Sequence, residues 1–150
     1  MLAAVGHYKL TLIGTPTLID PKFKERLEQL GATVVLVEDP AGEGNQRGRL
    51  ERLQSILQSR PNSFWPRQYD NPDNLFAYAR LAEQAVRLLG QIDCLVGPIG
   101  TGGSLCGAAH FLREVFPELK VLAVDTHRST LFGQPLGKRL LRGLGNSIIP

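Results

Sequence analysis

Apolar positions along this 150-residue chain fall into short runs that alternate with stretches of helical spacing. Leu10-Thr11-Leu12-Ile13 is a short run ending at Gly14 and predicts a strand. Asp20-Pro21 predicts a helix start, with Asp at the N-cap and Pro at the first helical position. Phe23, Leu27 and Leu30 follow at spacings of four and three, and Gly31 closes the helix. Thr33 to Val37 is β-branched or apolar throughout, as in a buried parallel strand. The polar, glycine-containing stretch from Glu38 to Arg47 predicts a loop. Arg49 to Ser59 predicts a helix with Leu50, Leu53, Ile56 and Leu57 on one face.

Pro61-Asn62-Ser63 breaks the pattern. Phe64, Trp65 and Tyr69 form a short aromatic segment, with Phe64 and Trp65 expected in the core at a junction between two lobes. After the Asn71-Pro72 turn, a long helix is expected over 74–89, with Leu75, Tyr78, Ala82, Ala85, Val86 and Leu89 inward. Ile92 to Val96 reads as the next strand. Leu105 to Phe116 reads as a helix burying Leu105, Ala108, Leu112 and Val115, and Val121 to Asp125 as another buried strand. The remainder, from Thr126, is irregular and glycine-rich. This βαβα alternation predicts an α/β fold, a parallel twisted sheet flanked by helices in a three-layer αβα arrangement. The break divides the chain into two lobes, residues 1–64 and 65–150.

Composition narrows the function little. A hydrophobic fraction of 43% and a charged fraction of 21% are those of a globular protein. The net charge of +3 is spread over scattered arginines, and no basic stripe with interleaved aromatics argues for nucleic acid. No apolar run approaches the roughly 20 residues of a membrane span. Residues 1–6 lack the basic start of a signal peptide. Cys94 and Cys106 read as small core residues, too few for a disulfide framework or a zinc site. A reducing, cytoplasmic setting is expected. His7, His110 and His127 show no ligand spacing, and no metal site is expected.

The chemistry concentrates in Gly97-Pro98-Ile99-Gly100-Thr101-Gly102-Gly103-Ser104, between a strand and a helix. Amides without intrahelical partners converge at such a helix start, the helix dipole adds positive charge, and glycines admit close backbone approach. Thr101 and Ser104 add hydroxyl donors. A phosphate-bearing small molecule is the expected ligand. A dinucleotide fingerprint fails: the small residue required three places after Gly102 is Leu105. No Lys-Ser or Lys-Thr follows the glycines, which excludes a Walker A loop. A tight strand-to-helix turn without any ligand is the structural alternative.

Gly-Thr-Gly-Gly-Ser after an apolar strand resembles the phosphate loop of the cysteine synthase family, within the tryptophan synthase β-subunit-like, fold type II pyridoxal-phosphate (PLP) enzymes. The resemblance continues in Gly6 to Leu12, in Leu30-Gly31-Ala32-Thr33-Val34-Val35, in Gln68-Tyr69-Asp70-Asn71-Pro72 and in Arg142-Gly143-Leu144-Gly145-Asn146-Ser147-Ile148-Ile149-Pro150. It implies that residues 1–64 are part of the family's smaller lobe and 65–150 part of its larger one. By position, Gly100, Thr101, Gly102, Gly103 and Ser104 would hold the PLP phosphate, Gly143 would lie beside the cofactor ring, and Gln68 would line the site of the amino-acid carboxylate. The implied activity is β-replacement on an activated serine, of the O-acetylserine or O-phosphoserine class, to give cysteine or a related amino acid. A homodimer acting on small amino acids is implied, with neither nucleic acid nor membrane as partner. The stretch from Val124 to Gly133 departs from the commonest cysteine synthases and is similar to variants acting on other activated serines.

The family's chemistry needs a Schiff-base lysine in a Gly-Ser-Xaa-Lys-Asp-Arg context. Lys9, Lys22, Lys24, Lys120 and Lys138 all lack that context, so no catalytic residue is identifiable here. The chain reads as the middle of a longer, truncated enzyme. Two other readings remain: a non-catalytic module binding a phosphate ligand or a subunit, and a nicotinamide-dinucleotide-binding domain. An unpaired, apolar strand edge would favour association.

Overall fold

The computed structural model describes residues 6–141 and 143–150. The N-terminal residues 1–5, part of the stretch read for a signal peptide, and Arg142 of the last glycine motif lie outside the described residues. The chain forms two compact units, one running to Ser63 and taking in Leu136–Lys138, the other comprising Phe64–Pro135 and Arg139–Pro150.

In the first unit, β1 (Thr11–Gly14) pairs in parallel with β2 (Thr33–Leu36), Thr11 opposite Thr33 and Gly14 opposite Leu36. Between them lies α1 (Pro21–Gln29), where the Asp20 carboxylate accepts the Phe23 N–H at 2.9 Å as an N-cap. Helix α2 (Gln46–Ser59) starts three residues before the expected Arg49. The cause is Asn45, whose side chain accepts the Gly48 N–H at 3.1 Å and donates to the Glu38 carbonyl at 2.7 Å. Helix α1 packs on β2 and α2 on β1.

Asp39 closes the loop between β2 and α2. Its carboxylate accepts the Thr17 hydroxyl at 2.5 Å and the Glu43 and Gly44 amides at 3.0 and 2.8 Å. Thr17 in turn shares a 2.7 Å hydrogen bond with the fully buried Thr15 hydroxyl. Burial pushes the Asp39 pKa up, but the hydrogen bonds from Thr17, Gly44, Glu43 and Thr15 outweigh it and hold the carboxyl below the ordinary aspartate value.

The second unit begins with α3 (Asp73–Phe76) and α4 (Ala79–Leu89). They replace the single helix expected over 74–89, because the chain tightens where the Tyr78 N–H bonds the Leu75 carbonyl. That carbonyl lies 2.5 Å from where a Cβ on Gly107 would stand, so α3 rests directly on the backbone of α5 (Gly103–Val115). Strand β3 (Cys94–Pro98) pairs in parallel with β4 (Lys120–Val124), Val96 opposite Leu122. The core is Ala82, Leu112 and Leu119, with Leu95 and Val121 packed against it from one face of the sheet.

The other face is bare. Val96 is 58% exposed and Leu122 57%. The α/β class and parallel pairing agree with expectation, as two two-stranded sheets, one per unit. Among the described residues no third layer covers the Val96 face, and this corrects several burial expectations. Cys94 shares the exposed face with Val96, while Cys106 lies with His110 and Arg113 on the exposed side of α5; both cysteines are free and exposed. Phe64, expected in the core, is 87% exposed, and Leu89 and Val115, expected inward, are exposed as well.

Leu112 is 2% exposed and Leu122 is on the bare face, so the same truncation separates them. Leu112→Ala is expected to cost about 2–5 kcal/mol in urea unfolding, and Leu122→Ala under about 1 kcal/mol; equal costs would contradict the bare face. For Asp39 the folded pKa lies below the unfolded one, so its stabilisation is complete above the ordinary value of 3.8 and is lost as pH falls through the folded value. Asp39→Asn is therefore expected to lower the urea midpoint at pH 7 and to lower it less at pH 3. A gap that is unchanged at both pH values would contradict it.

Candidate functional site

In a parallel sheet with short strand-to-helix turns, the carboxyl ends of the strands and the amino ends of the following helices meet. Here β3 ends at Pro98, and α5 opens at Gly103 with Gly102 as its N-cap, at φ 84° and with no side-chain cap. That backbone angle is strained for any residue with a Cβ. Among the described residues the Thr101, Gly102, Ser104 and Leu105 amides have no hydrogen-bond partner, and the Gly103 amide lies 3.5 Å from Thr101 Oγ1. These are the orphan donors of a helix start, with the positive end of the helix dipole behind them.

The glycines of this loop serve different ends. A Cβ on Gly97 would stand 3.0 Å from Leu105 Cδ1, and one on Gly103 2.5 Å from Asn74 Nδ2, so both permit close packing. Gly102 supplies the left-handed turn. Gly100 is uncrowded: its Cβ would make ordinary contact with the Gly143 and Gly145 carbonyl oxygens at 3.9 Å. The density of glycine, read from sequence as more than a turn requires, is thus mostly packing and turn geometry at Gly97, Gly102 and Gly103.

Residues far apart in sequence converge on this loop. The Gly145 N–H donates to the Ile99 carbonyl at 2.8 Å, which brings Gly143 beside Gly100. Asn74 Nδ2 donates to the Gln68 carbonyl at 2.8 Å and lies 3.5 Å from Thr101 Oγ1, which draws Gln68 toward the same loop. Gly100 to Ser104, Gly143 and Gln68 therefore gather at one end of the β3–β4 sheet. Sequence reading missed the residues that gather them: Asn74, Ser129, Thr130 and Asn146. Asp125, just beyond β4, accepts the Thr126 N–H at 2.7 Å through Oδ1, while its Oδ2 is buried without a hydrogen-bond partner among the described residues.

The second unit's lysine stands elsewhere. Lys120 is the second unit's one lysine among the described residues. It is the first residue of β4, opposite Cys94, at the far end of the strands from the loop. Four strand steps put it about 13 Å away along the sheet. Lys22 and Lys24 lie on α1, Lys24 in an ion pair with Glu28 at 3.3 Å.

The family described as pyridoxal-phosphate dependent enzyme matches residues 1–150. The chain is 32% identical over 151 residues to a cysteine synthase of Helicobacter pylori, across 99% of this chain and 48% of that protein. It is 33% identical over 153 residues to a cysteine synthase of a Flavobacterium species, across 100% of this chain and 48% of that one. Among solved structures it is similar to the O-acetylserine dependent cystathionine β-synthase of Helicobacter pylori, with TM-score 0.87 and 30% identity over 99% of this chain and 48% of that chain. It is also similar to the cysteine synthase of Entamoeba histolytica, with TM-score 0.81 and 26% identity over 99% and 44% of the two chains. The chain spans about half the length of the curated relatives it matches.

Gly145 has φ 70°, and a Cβ there would stand 2.6 Å from Thr126 Cγ2 and 2.8 Å from Ser129 Cβ. Gly145→Ala is expected to release residues 143–147 from the glycine loop and to cost about 1–3 kcal/mol. Amide exchange would show lost protection at the Gly145 N–H; unaltered protection would contradict this packing.

Proposed function

Because the chain belongs to the pyridoxal-phosphate dependent enzyme family, we propose that it is the phosphate-anchoring part of a cysteine synthase-like enzyme that performs β-replacement on an activated serine, of the O-acetylserine or O-phosphoserine class. The observation that carries this reading is the start of α5, which has no side-chain cap and follows the glycine loop. A phosphate fits that donor set: several amides converge without protein acceptors, and no side chain blocks their approach. The Thr101 to Leu105 amides and the Thr101 and Ser104 hydroxyls would hold the PLP phosphate. Gly143 would leave room beside the ring, and Gln68 would contact the amino-acid carboxylate. When bound, PLP supplies the electron sink that lets a leaving group depart from Cβ and a nucleophile take its place. The chain's own part is to fix position: an anchored phosphate limits how the ring can turn.

No lysine of the second unit lies near the glycine loop, so the amine that carries the cofactor and moves the α-proton is not among its described residues. That observation supports a second reading, a module that binds the phosphate ligand or another subunit without turnover. The dinucleotide reading is weakened by the spacing of the glycines and by Asp125, whose Oδ1 is engaged by Thr126 and whose Oδ2 is buried. We read the full enzyme as a cytoplasmic homodimer. The two free cysteines suit a reducing setting. No helix among the described residues is long and apolar enough to cross a membrane.

The test is titration of the chain with PLP and, separately, with NADH. Saturable PLP binding is expected, competed by inorganic phosphate, with no borohydride-stable attachment to a single lysine. Tight NADH binding without PLP binding would sink the reading. PLP reduced onto one lysine in stoichiometric yield would sink the assignment of this chain as anchor alone.

A further inference from the structure

Three loops meet at one buried side chain. Asn146 is 2% exposed and Ser129 0%. The Asn146 N–H donates to Ser129 Oγ at 3.0 Å. Its backbone carbonyl accepts the Thr130 N–H at 3.0 Å and the Thr130 hydroxyl at 3.1 Å. Its Oδ1 accepts the Ser147 N–H at 3.0 Å, and its Nδ2 donates to the Gly100 carbonyl at 3.3 Å. The two ends of the amide are thereby assigned, because a flipped side chain would oppose donor to donor and acceptor to acceptor.

We infer that Asn146 is a positioning residue that sets the direction of the phosphate-holding amides; the inference rests on the function proposed above. A peptide unit is planar and trans, so its C=O and the following N–H point opposite ways. Drawing the Gly100 carbonyl toward Asn146 turns the Thr101 N–H away from it, and that amide has no partner among the described residues. Gly100 carries no Cβ to resist a flip of this peptide. Its orientation is instead held by an amide 46 residues later in the chain. Ser129 and Thr130 hold Asn146 through its backbone, so the side chain is fixed before any ligand arrives.

The test compares the native chain with Asn146→Asp and Asn146→Ala. Asn146→Asp keeps the acceptor for Ser147 and loses the donor to Gly100. Affinities are measured for PLP and for pyridoxal, which lacks the phosphate, with amide chemical shifts of Gly100 to Ser104 as the footprint of inorganic phosphate. Asn146→Ala is expected to bind PLP about tenfold more weakly, the loss of one hydrogen bond to a charged group, and Asn146→Asp more weakly still because its carboxylate also repels the phosphate, with pyridoxal affinity unchanged within twofold for Asn146→Ala. Folded variants that keep the native PLP-to-pyridoxal ratio would overturn the inference while leaving the proposed function standing. A native chain showing no phosphate footprint on Gly100 to Ser104 would overturn the proposed function, and the inference with it. A measurement on the native chain alone guards against variants that do not fold. The Thr101 amide is expected to exchange rapidly without ligand and to be protected by inorganic phosphate; protection before phosphate is added would overturn the inference.

Discussion

The unsatisfied amides at the start of α5 are the constraint around which the second unit is arranged. Backbone donors left without partners are costly when buried, so they must face water or an acceptor. Parallel pairing of β3 with β4 brings Pro98 level with Val124, and both strands deliver their following loops to the same end. The Ile99 N–H extends the ladder to the Val124 carbonyl, and the Ile99 carbonyl receives Gly145. Every backbone group of Ile99 is therefore committed, and freedom begins only at Gly100. The sheet register, rather than the glycine loop itself, decides where the donors stand.

Local signals were legible in the sequence where the cause is local. Asp20-Pro21 capped α1, Gly31 adopts φ 87° beyond its end, and the four apolar runs with helical stretches between them became strands and helices close to the expected places. Burial was less legible, because apolar spacing says which positions share a face and nothing about what covers it. Leu112 and Val115 follow the same helical stripe, yet one is buried with Leu119 and Val121 while the other is 53% exposed. Cys94 and Val96 alternate correctly with Leu95, on a face that no described residue covers. In the site, the donors could be read from strand, glycines and helix in order. Asn74, Ser129 and Asn146 could not, since a polar side chain satisfied by a loop far along the chain leaves no periodicity behind.

The two units solve a similar problem with different chemistry. In the first, the loop after β2 is tied by one carboxylate, with Asp39 accepting a hydroxyl and two amides. A charged acceptor makes such bonds strong, and it makes them sensitive to acid. The loops of the second unit are tied by the neutral Ser129 and Asn146. A carboxylate beside Gly100 would repel an anion held at the start of α5. Asp125, close to Gly145, has its Oδ1 bonded to the Thr126 amide and its Oδ2 buried.

Anchor and reactive amine are separable in a fold of this kind. A phosphate held at a helix start needs only backbone amides, which any strand–glycine–helix unit can present. Proton transfer at carbon needs an amine within hydrogen-bond reach of the reacting atom. Lys120 is placed at the amino end of β4, where parallel pairing holds it opposite Cys94. No rotamer of a lysine spans the length of the strand to reach Gly100, because its side chain extends about 6 Å and the separation along the sheet is about 13 Å. The same pairing that sets the start of α5 at one end of the sheet thus keeps the second unit's lysine at the other.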